Sequence, residues 1–262
     1  MMTSSNQPMR PPDFQLIFSS IKGQVLAFCV FMTIWSILSF FFEDYTIPAP
    51  LKVWQYIKHN PFDLLIHFYI SLKRVCIGFV ISFLFGTVLG IGAYLLNRFA
   101  FMETTLVLFQ VLPGTIIGII LLLLFGVGSW APIALIIILT TPLIAIQTAT
   151  AMSKTNLQLR QVIQSFGGGR RALTQDLYLP MLVPTFRANL STGMVFSIKV
   201  VLLGEFIGSE DGIGYLLSVA TIYFNMPAVF ACLCLIVGSI LLWQVGINVV
   251  YLVVFRKFLN PD

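Results

Sequence analysis

Gln161-Val162-Ile163-Gln164-Ser165-Phe166-Gly167-Gly168-Gly169-Arg170-Arg171, running on to Leu177-Tyr178-Leu179-Pro180, is a polar, glycine-bearing stretch inside an otherwise apolar chain. From Thr155 to Leu177, apolar residues (Leu157, Leu159, Val162, Ile163, Phe166, Leu173, Leu177) are interleaved with Arg160, Gln161, Gln164, Ser165, Arg170, Arg171 and Asp176. The spacing predicts two short amphipathic helices broken at the three successive glycines. On either side lie apolar runs, about 131–151 and 182–204, each long enough to cross a bilayer. A long polar connection in that place has two physical uses. It is a surface offered to a partner on that side of the membrane, or a helix pair lying on the anionic leaflet.

The composition settles the class around it. The chain is 58% hydrophobic and 10% charged, with a mean hydropathy of +0.95, against about 25% charged residues in an ordinary soluble domain. So little polar material cannot cover a soluble fold, and the expected fold class is an all-α polytopic membrane protein. Six stretches reach spanning length: about 24–42, a run within 66–96, 105–124, 131–151, 182–204 and 229–254. The expected organisation is an N-terminal segment 1–23, a membrane domain 24–255 containing the loop 155–177, and a tail 256–262. Arg10, Lys22, Arg98, Lys154, Arg160, Arg170, Arg171, Arg256 and Lys257 fall in one set of loops. Glu43, Asp44, Asp63, Glu210 and Asp211 fall in the other, with Lys52 and Lys58 as exceptions. This asymmetry puts both termini and the 155–177 loop in the cytoplasm. The net charge of +5 is spread over those loops and forms no patch, which argues against nucleic acid. The polar, proline-bearing start has no apolar h-region, so the run from Val25 reads as a retained span.

Cys29, Cys76, Cys232 and Cys234 all lie in apolar segments without a His/Cys cluster, so they read as packing residues, with no disulfide framework and no metal site. Gly86 and Gly90 form a G-x-x-x-G pair suited to close helix approach. Pro113-Gly114, inside the third apolar run, is expected to kink or interrupt it. Ile47-Pro48-Ala49-Pro50 followed by Leu51–Ile57 reads as a turn and a short helix on the membrane surface, with Trp54 and Tyr56 at headgroup level. Lys199 is the one ionisable residue placed deep in a span, and such residues are functional by default. It is a substrate-path residue attracting an anion, or a snorkelling or paired lysine. Gln110, Asn189, Ser191, Thr192 and Ser197 line a path or bond neighbouring helices. His59 and His67 have no metal-ligand spacing and are given no role.

The polar loop resembles the cytoplasmic signature of binding-protein-dependent ABC transporter permeases: E-A-A, three residues, G, nine residues, I, one residue, L-P. Gly167 fills the glycine, Leu177 stands for Ile, and Leu179-Pro180 completes it, while Gln161-Val162-Ile163 replaces E-A-A. From about 67 to 255 the chain is similar to the permeases of nitrate, sulfonate, taurine and bicarbonate importers. The similar stretches are Ser71-Leu72-Lys73-Arg74-Val75 before Gly78-Phe79, Val111-Leu112-Pro113, Phe125-Gly126-Val127-Gly128, Pro142, and Gly204-Glu205-Phe206-Ile207-Gly208 through Gly212-Ile213-Gly214-Tyr215. The Ile47–Trp54 segment also resembles the family's outer stretch.

The resemblance implies a non-catalytic, multi-pass inner-membrane subunit. It implies two ABC ATPase subunits, a second permease copy or homologue, an outer substrate-binding protein and the lipid around them as partners. It assigns the docking of the ATPase to Arg160, Gln161, Gln164, Ser165, Phe166, Arg170 and Arg171, with Gly167 as hinge. The path residues are then Gln110, Pro113, Lys199 and Glu205; Glu205 matches an acidic residue usual in the family and reads as a gating or binding-protein contact, or as a structurally paired residue. The chain has no G-x-x-x-x-G-K-[ST] loop, so ATP and Mg are expected on the partner ATPases and no cofactor on this chain. The implied cargo is a small anion such as nitrate, a sulfonate, taurine or bicarbonate; relatives also carry vitamin precursors and aromatic compounds. A stand-alone secondary transporter or channel is the competing reading, and it would call for internal repeats and several intramembrane ionisable residues.

Overall fold

The structure, a computed structural model, describes residues 14–155 and 157–259. Residues 1–13, with Arg10, and 260–262 lie outside the described residues, as do the side chains of Arg170, Arg256 and Lys257. The elements are α1 (Phe14–Phe41), α2 (Pro50–His59), α3 (Pro61–Leu95), α4 (Phe99–Val111), α5 (Gly114–Phe125), α6 (Trp130–Ser153), α7 (Leu157–Ser165), α8 (Arg170–Ala172), α9 (Leu179–Gly208), α10 (Ile213–Ile222) and α11 (Met226–Leu259). A π-helical turn, Leu173–Tyr178, joins α8 to α9. No strand occurs among the described residues.

Among the described residues, α3, α6, α11 and the run Leu173–Gly208 are long and apolar enough to cross a membrane, and the bent pair α4–α5 passes as a fifth span. α1 starts earlier than its expected beginning near 24; its 28 residues reach about 42 Å. The third expected span is not one helix: α4 and α5 meet at 84°. Pro113 has no N–H to continue α4, and Leu112, held extended before it at ψ 130°, turns the chain. More than three turns of mostly apolar sequence on each side, 13 residues in α4 and 12 in α5, keep both halves helical. The expected surface helix is α2, started by Pro50 at its first turn. Its Val53 packs with Trp35 and Ala231, Trp35 Nε1 donates to the Pro48 carbonyl at 3.1 Å, and Trp54 is exposed.

α3 and α6 pack side by side through glycine. A Cβ at Gly90 would lie 2.5 Å from the Ala145 carbonyl oxygen, and one at Gly86 would lie 2.8 Å from that of Thr141. The G-x-x-x-G pair is therefore the contact line between the two longest-packed helices. α9 lies against both, and the core between them is Val75 and Phe79 of α3, Leu135, Ile136 and Ile144 of α6, and Met194, Ile198 and Val201 of α9. Thr140 meets Ser197 at 3.2 Å and Asn189 Nδ2 donates to Thr148 Oγ1 at 3.0 Å, with all four residues fully buried. Asn189 and Ser197 thus bond neighbouring helices and do not face a path.

The second expected amphipathic helix of the 155–177 loop is not a separate element. α8 runs through the π-helical turn straight into α9, because Leu173, Leu177 and Tyr178 are buried with Met152 and Leu182 and anchor that segment to the bundle. Pro180 is tolerated at the join since Leu179 N–H already reaches back to the Thr174 carbonyl, five residues earlier.

Candidate functional site

Two polar features sit at opposite ends of this bundle. The first is α7. Leu159, Val162 and Phe166 are spaced on one face and exposed, Phe166 to 88%, while Ile163, at the edge of that face, packs against the Met152–Leu182 cluster. Gln161, Gln164, Ser165 and Arg171 are exposed around that ridge and Arg160 is half-buried. Gly167 ends the helix with φ +80°. Its N–H donates to the Gln164 carbonyl at 3.0 Å, and the Gly168 N–H donates to the Ile163 carbonyl at 2.9 Å. This is the paired-bond helix stop that a left-handed glycine allows. The arrangement presents an apolar ridge with a polar rim, away from the core.

The second feature lies where α9 turns into α10. Arg74, 2% exposed on α3, uses all five of its N–H donors. Nη1 donates to Glu205 Oε1 and to the Asp211 carbonyl, both at 2.9 Å. Nη2 donates to Ser129 Oγ at 2.8 Å and to the Asp211 carboxylate, and Nε donates to Ser129 at 3.1 Å. The other carboxylate oxygen of Glu205 accepts from Ser71 Oγ at 2.7 Å and from the Gly214 N–H at 2.9 Å. Four chain segments are tied by one guanidinium: α3, the loop before α6, the end of α9 and the start of α10. A charge this deep is tolerable only when so fully paired.

The residues expected from sequence divide accordingly. Glu205 has no exposed side-chain surface and is held by Arg74, the paired arrangement that stood beside its path and gating roles. Gln110 and Pro113 are exposed at the bend between α4 and α5. Lys199 is exposed on α9, in line with Ala188, Thr192 and Phe206, and makes no ion pair among the described residues. Its suggested pairing with Glu205 does not occur, because Glu205 already has its cation. Arg74 is absent from the residues expected at the site, and His67, expected to have no role, accepts a bond from the Gly212 N–H at 2.9 Å. A signal was present: His67, Ser71 and Arg74 fall at i, i+4 and i+7 in an apolar helix, polar positions on a single face.

The fold is that of a helical membrane unit, with an exposed apolar ridge at one end and a buried ionic tie at the other. The chain belongs to the family of binding-protein-dependent transport system inner membrane components, whose pattern matches residues 82–256. It is 26% identical over 209 residues to the formylaminopyrimidine transport permease protein ThiX of Halalkalibacterium halodurans, covering 79% of this chain and 84% of that protein. It is also 26% identical to a probable ABC transporter permease protein of Haemophilus influenzae, covering 80% and 86%. A shorter match, 24% identical over 47% of this chain and 46% of the relative, is to the riboflavin transport system permease protein RibX of Chloroflexus aurantiacus. Among solved structures, the MetNI methionine ABC transporter in an inward-facing conformation shares the fold, with a TM-score of 0.63 at 16% identity over 72% of this chain and 94% of that one. The protein is the inner-membrane permease subunit of an ABC importer supplied by a binding protein.

Proposed function

We propose that α7 is the surface on which a partner ATPase docks, that the chain works beside a second permease copy, and that its solute is a small anion. In this reading the α7 end faces the cytoplasm and the α9–α10 turn faces the binding protein. Closure of two ATP-loaded ATPase subunits pushes α7, and α8 passes the push to α9 without a joint, so the central path alternates its access. The observation that carries docking is the exposed apolar ridge of α7, with Val162 49% and Phe166 88% exposed beside Leu159. The test is recovery of the tagged chain in mild detergent followed by mass spectrometry. An ATPase subunit is expected to accompany the wild type and to be lost when Arg170 and Arg171 are both changed to Glu. Recovery of the chain alone, across detergents and with ATP analogues, would favour a stand-alone transporter.

The anion reading rests on Lys199. It lies nine residues before the end of α9, about 14 Å along the axis from Gly208. An ammonium facing hydrocarbon there would cost about 3 kcal/mol, so the exposed stripe of α9 is better placed against water or protein, where the cation attracts an anion. Lys199→Met is then expected to reduce ATP-driven uptake at least about tenfold without lowering the amount of assembled complex; unchanged uptake would refute the role. The ThiX and RibX names favour a second cargo class, a heteroaromatic vitamin or its precursor. Proteoliposomes of the whole transporter, given labelled taurine, formylaminopyrimidine or riboflavin in turn, separate the two.

A further inference from the structure

The first amides of a helix have no partner within it, and α10 begins in a setting where every one must be met from outside. Gly212 N–H donates to His67 Nδ1 at 2.9 Å, Ile213 N–H to Ser71 Oγ at 2.8 Å, and Gly214 N–H to Glu205 Oε2 at 2.9 Å. His67 and Ser71 are one turn apart on α3, and Arg74, on the same face, holds the preceding residue, Asp211, by its carbonyl. One face of α3 therefore carries the start of α10. Gly212 has φ +100°, and a Cβ there would run into the Glu205 carboxylate, so the chain passes at closest approach.

The three acceptors differ in chemistry. The serine hydroxyl accepts at any pH, and the Glu205 carboxylate is held by a guanidinium. A histidine nitrogen accepts only when it carries no proton. The bond from Gly212 thus requires the tautomer with hydrogen on Nε2, which points toward Asp63 Oδ1 at 3.5 Å. We propose that His67 is a positioning residue for α10: its neutral form pins the helix to α3, and a proton added at Nδ1, the nitrogen that accepts from Gly212, releases the pin. A proton on Nδ1 would set two donors against each other across 2.9 Å.

The surroundings decide how this responds. Asp63, 61% exposed, lies on the Nε2 side of the ring, and the His67 side chain is 14% exposed. The Tyr215 ring of α10 lies 6.0 Å away, centre to centre. Tyr56 of α2 and Cys232 of α11 pack beside Leu64 and Ile213 and carry no charge in mildly acid water. Asp211 and Glu205 are both engaged by Arg74, whose charge opposes a second cation. Under the orientation given above, and resting on it, the pin reports the acidity of the compartment that holds the binding protein.

The test is hydrogen exchange at the Gly212 amide in the full-length chain, purified with its native partner subunits into lipid nanodiscs. Each rate is divided by the intrinsic exchange rate at its pH. Acidification from about pH 7.5 to about pH 5.5 is expected to cut protection about tenfold in the wild type. His67→Asn, which puts a carbonyl oxygen where Nδ1 stands and does not titrate, is expected to keep protection across that range. A wild type with no loss, or a His67→Asn variant that loses protection with the same profile, overturns the assignment. The measurement needs neither cargo nor ATP hydrolysis, so it can fail while the importer reading stands, and the reverse.

Discussion

Arg74→Met is expected to be the most destabilising single change at the α9–α10 end, costing about 3–5 kcal/mol, because it strands a buried carboxylate. Glu205 has no exposed side-chain surface, so it cannot turn to water when its cation is gone. Asp211, at 43% exposed, can. The two carboxylates therefore predict different sizes of effect: Glu205→Gln should lower the melting midpoint of the detergent-solubilised protein well beyond Asp211→Asn. Arg74→Lys should not rescue, since a single ammonium replaces a planar fork that serves Ser129, Glu205 and Asp211 together. The decisive comparison is Arg74→Met combined with Glu205→Gln. Removing the charge and its counter-charge together should recover stability relative to Arg74→Met alone, because the amide oxygen of Gln can still accept from Ser71 and Gly214. Tryptophan fluorescence on heating measures all five. A double variant no more stable than the single one would show that the tie is not an ionic one.

Gly167→Pro is expected to separate ATP hydrolysis from transport. The native φ of +80° is closed to proline, whose ring holds φ near −65°. The substitution also removes the N–H that reaches the Gln164 carbonyl, and it biases Phe166 toward an extended backbone. The last turn of α7 and its exposed phenylalanine are then displaced, while the membrane helices, which do not pack on Gly167, remain. Uptake in proteoliposomes should fall at least about tenfold, the effect of a helix stop lost at the proposed docking surface, with ATP still hydrolysed and the chain still inserted. Gly167→Asn tests the cause. Asparagine tolerates the left-handed conformation, so it should retain most of the uptake, whereas Gly167→Ala should fall between the two. If asparagine proves as damaging as proline, the site needs glycine for room at a docked partner and the helix-stop account is wrong.

Much of the helical layout was legible because it is local. Apolar runs of spanning length put α3, α6, α9 and α11 within a few residues of their observed bounds, and Pro113 marked the break between α4 and α5. The Gly86–Gly90 pair marked the face of α3 that meets α6. The loop 155–177 announced α7, but its second half misled. The leucines at 173 and 177 have the spacing of an amphipathic surface helix, and only their contact with Met152 and Leu182 shows that they face protein. Glu205 was noticed for its position, as a gating contact or a paired residue, but its partner could not be named, because Arg74 stands 131 residues away in sequence. Arg74 and His67 were passed over for the same reason. Each is ordinary beside its neighbours and acquires meaning from a loop that returns from the far end of α9.

What the sequence by itself determined is the class and the helices: so little charge over so much apolar length leaves membrane spans as the one stable outcome, and proline and glycine mark where those spans break or end. The tertiary structure alone decided which polar groups are partners. Period and hydropathy act over one or two turns, whereas the Arg74–Glu205–Asp211 tie depends on where α3, α9 and the start of α10 cross. In a low-dielectric interior that crossing is what makes a buried charge tolerable, and so it fixes which face of each helix is turned inward.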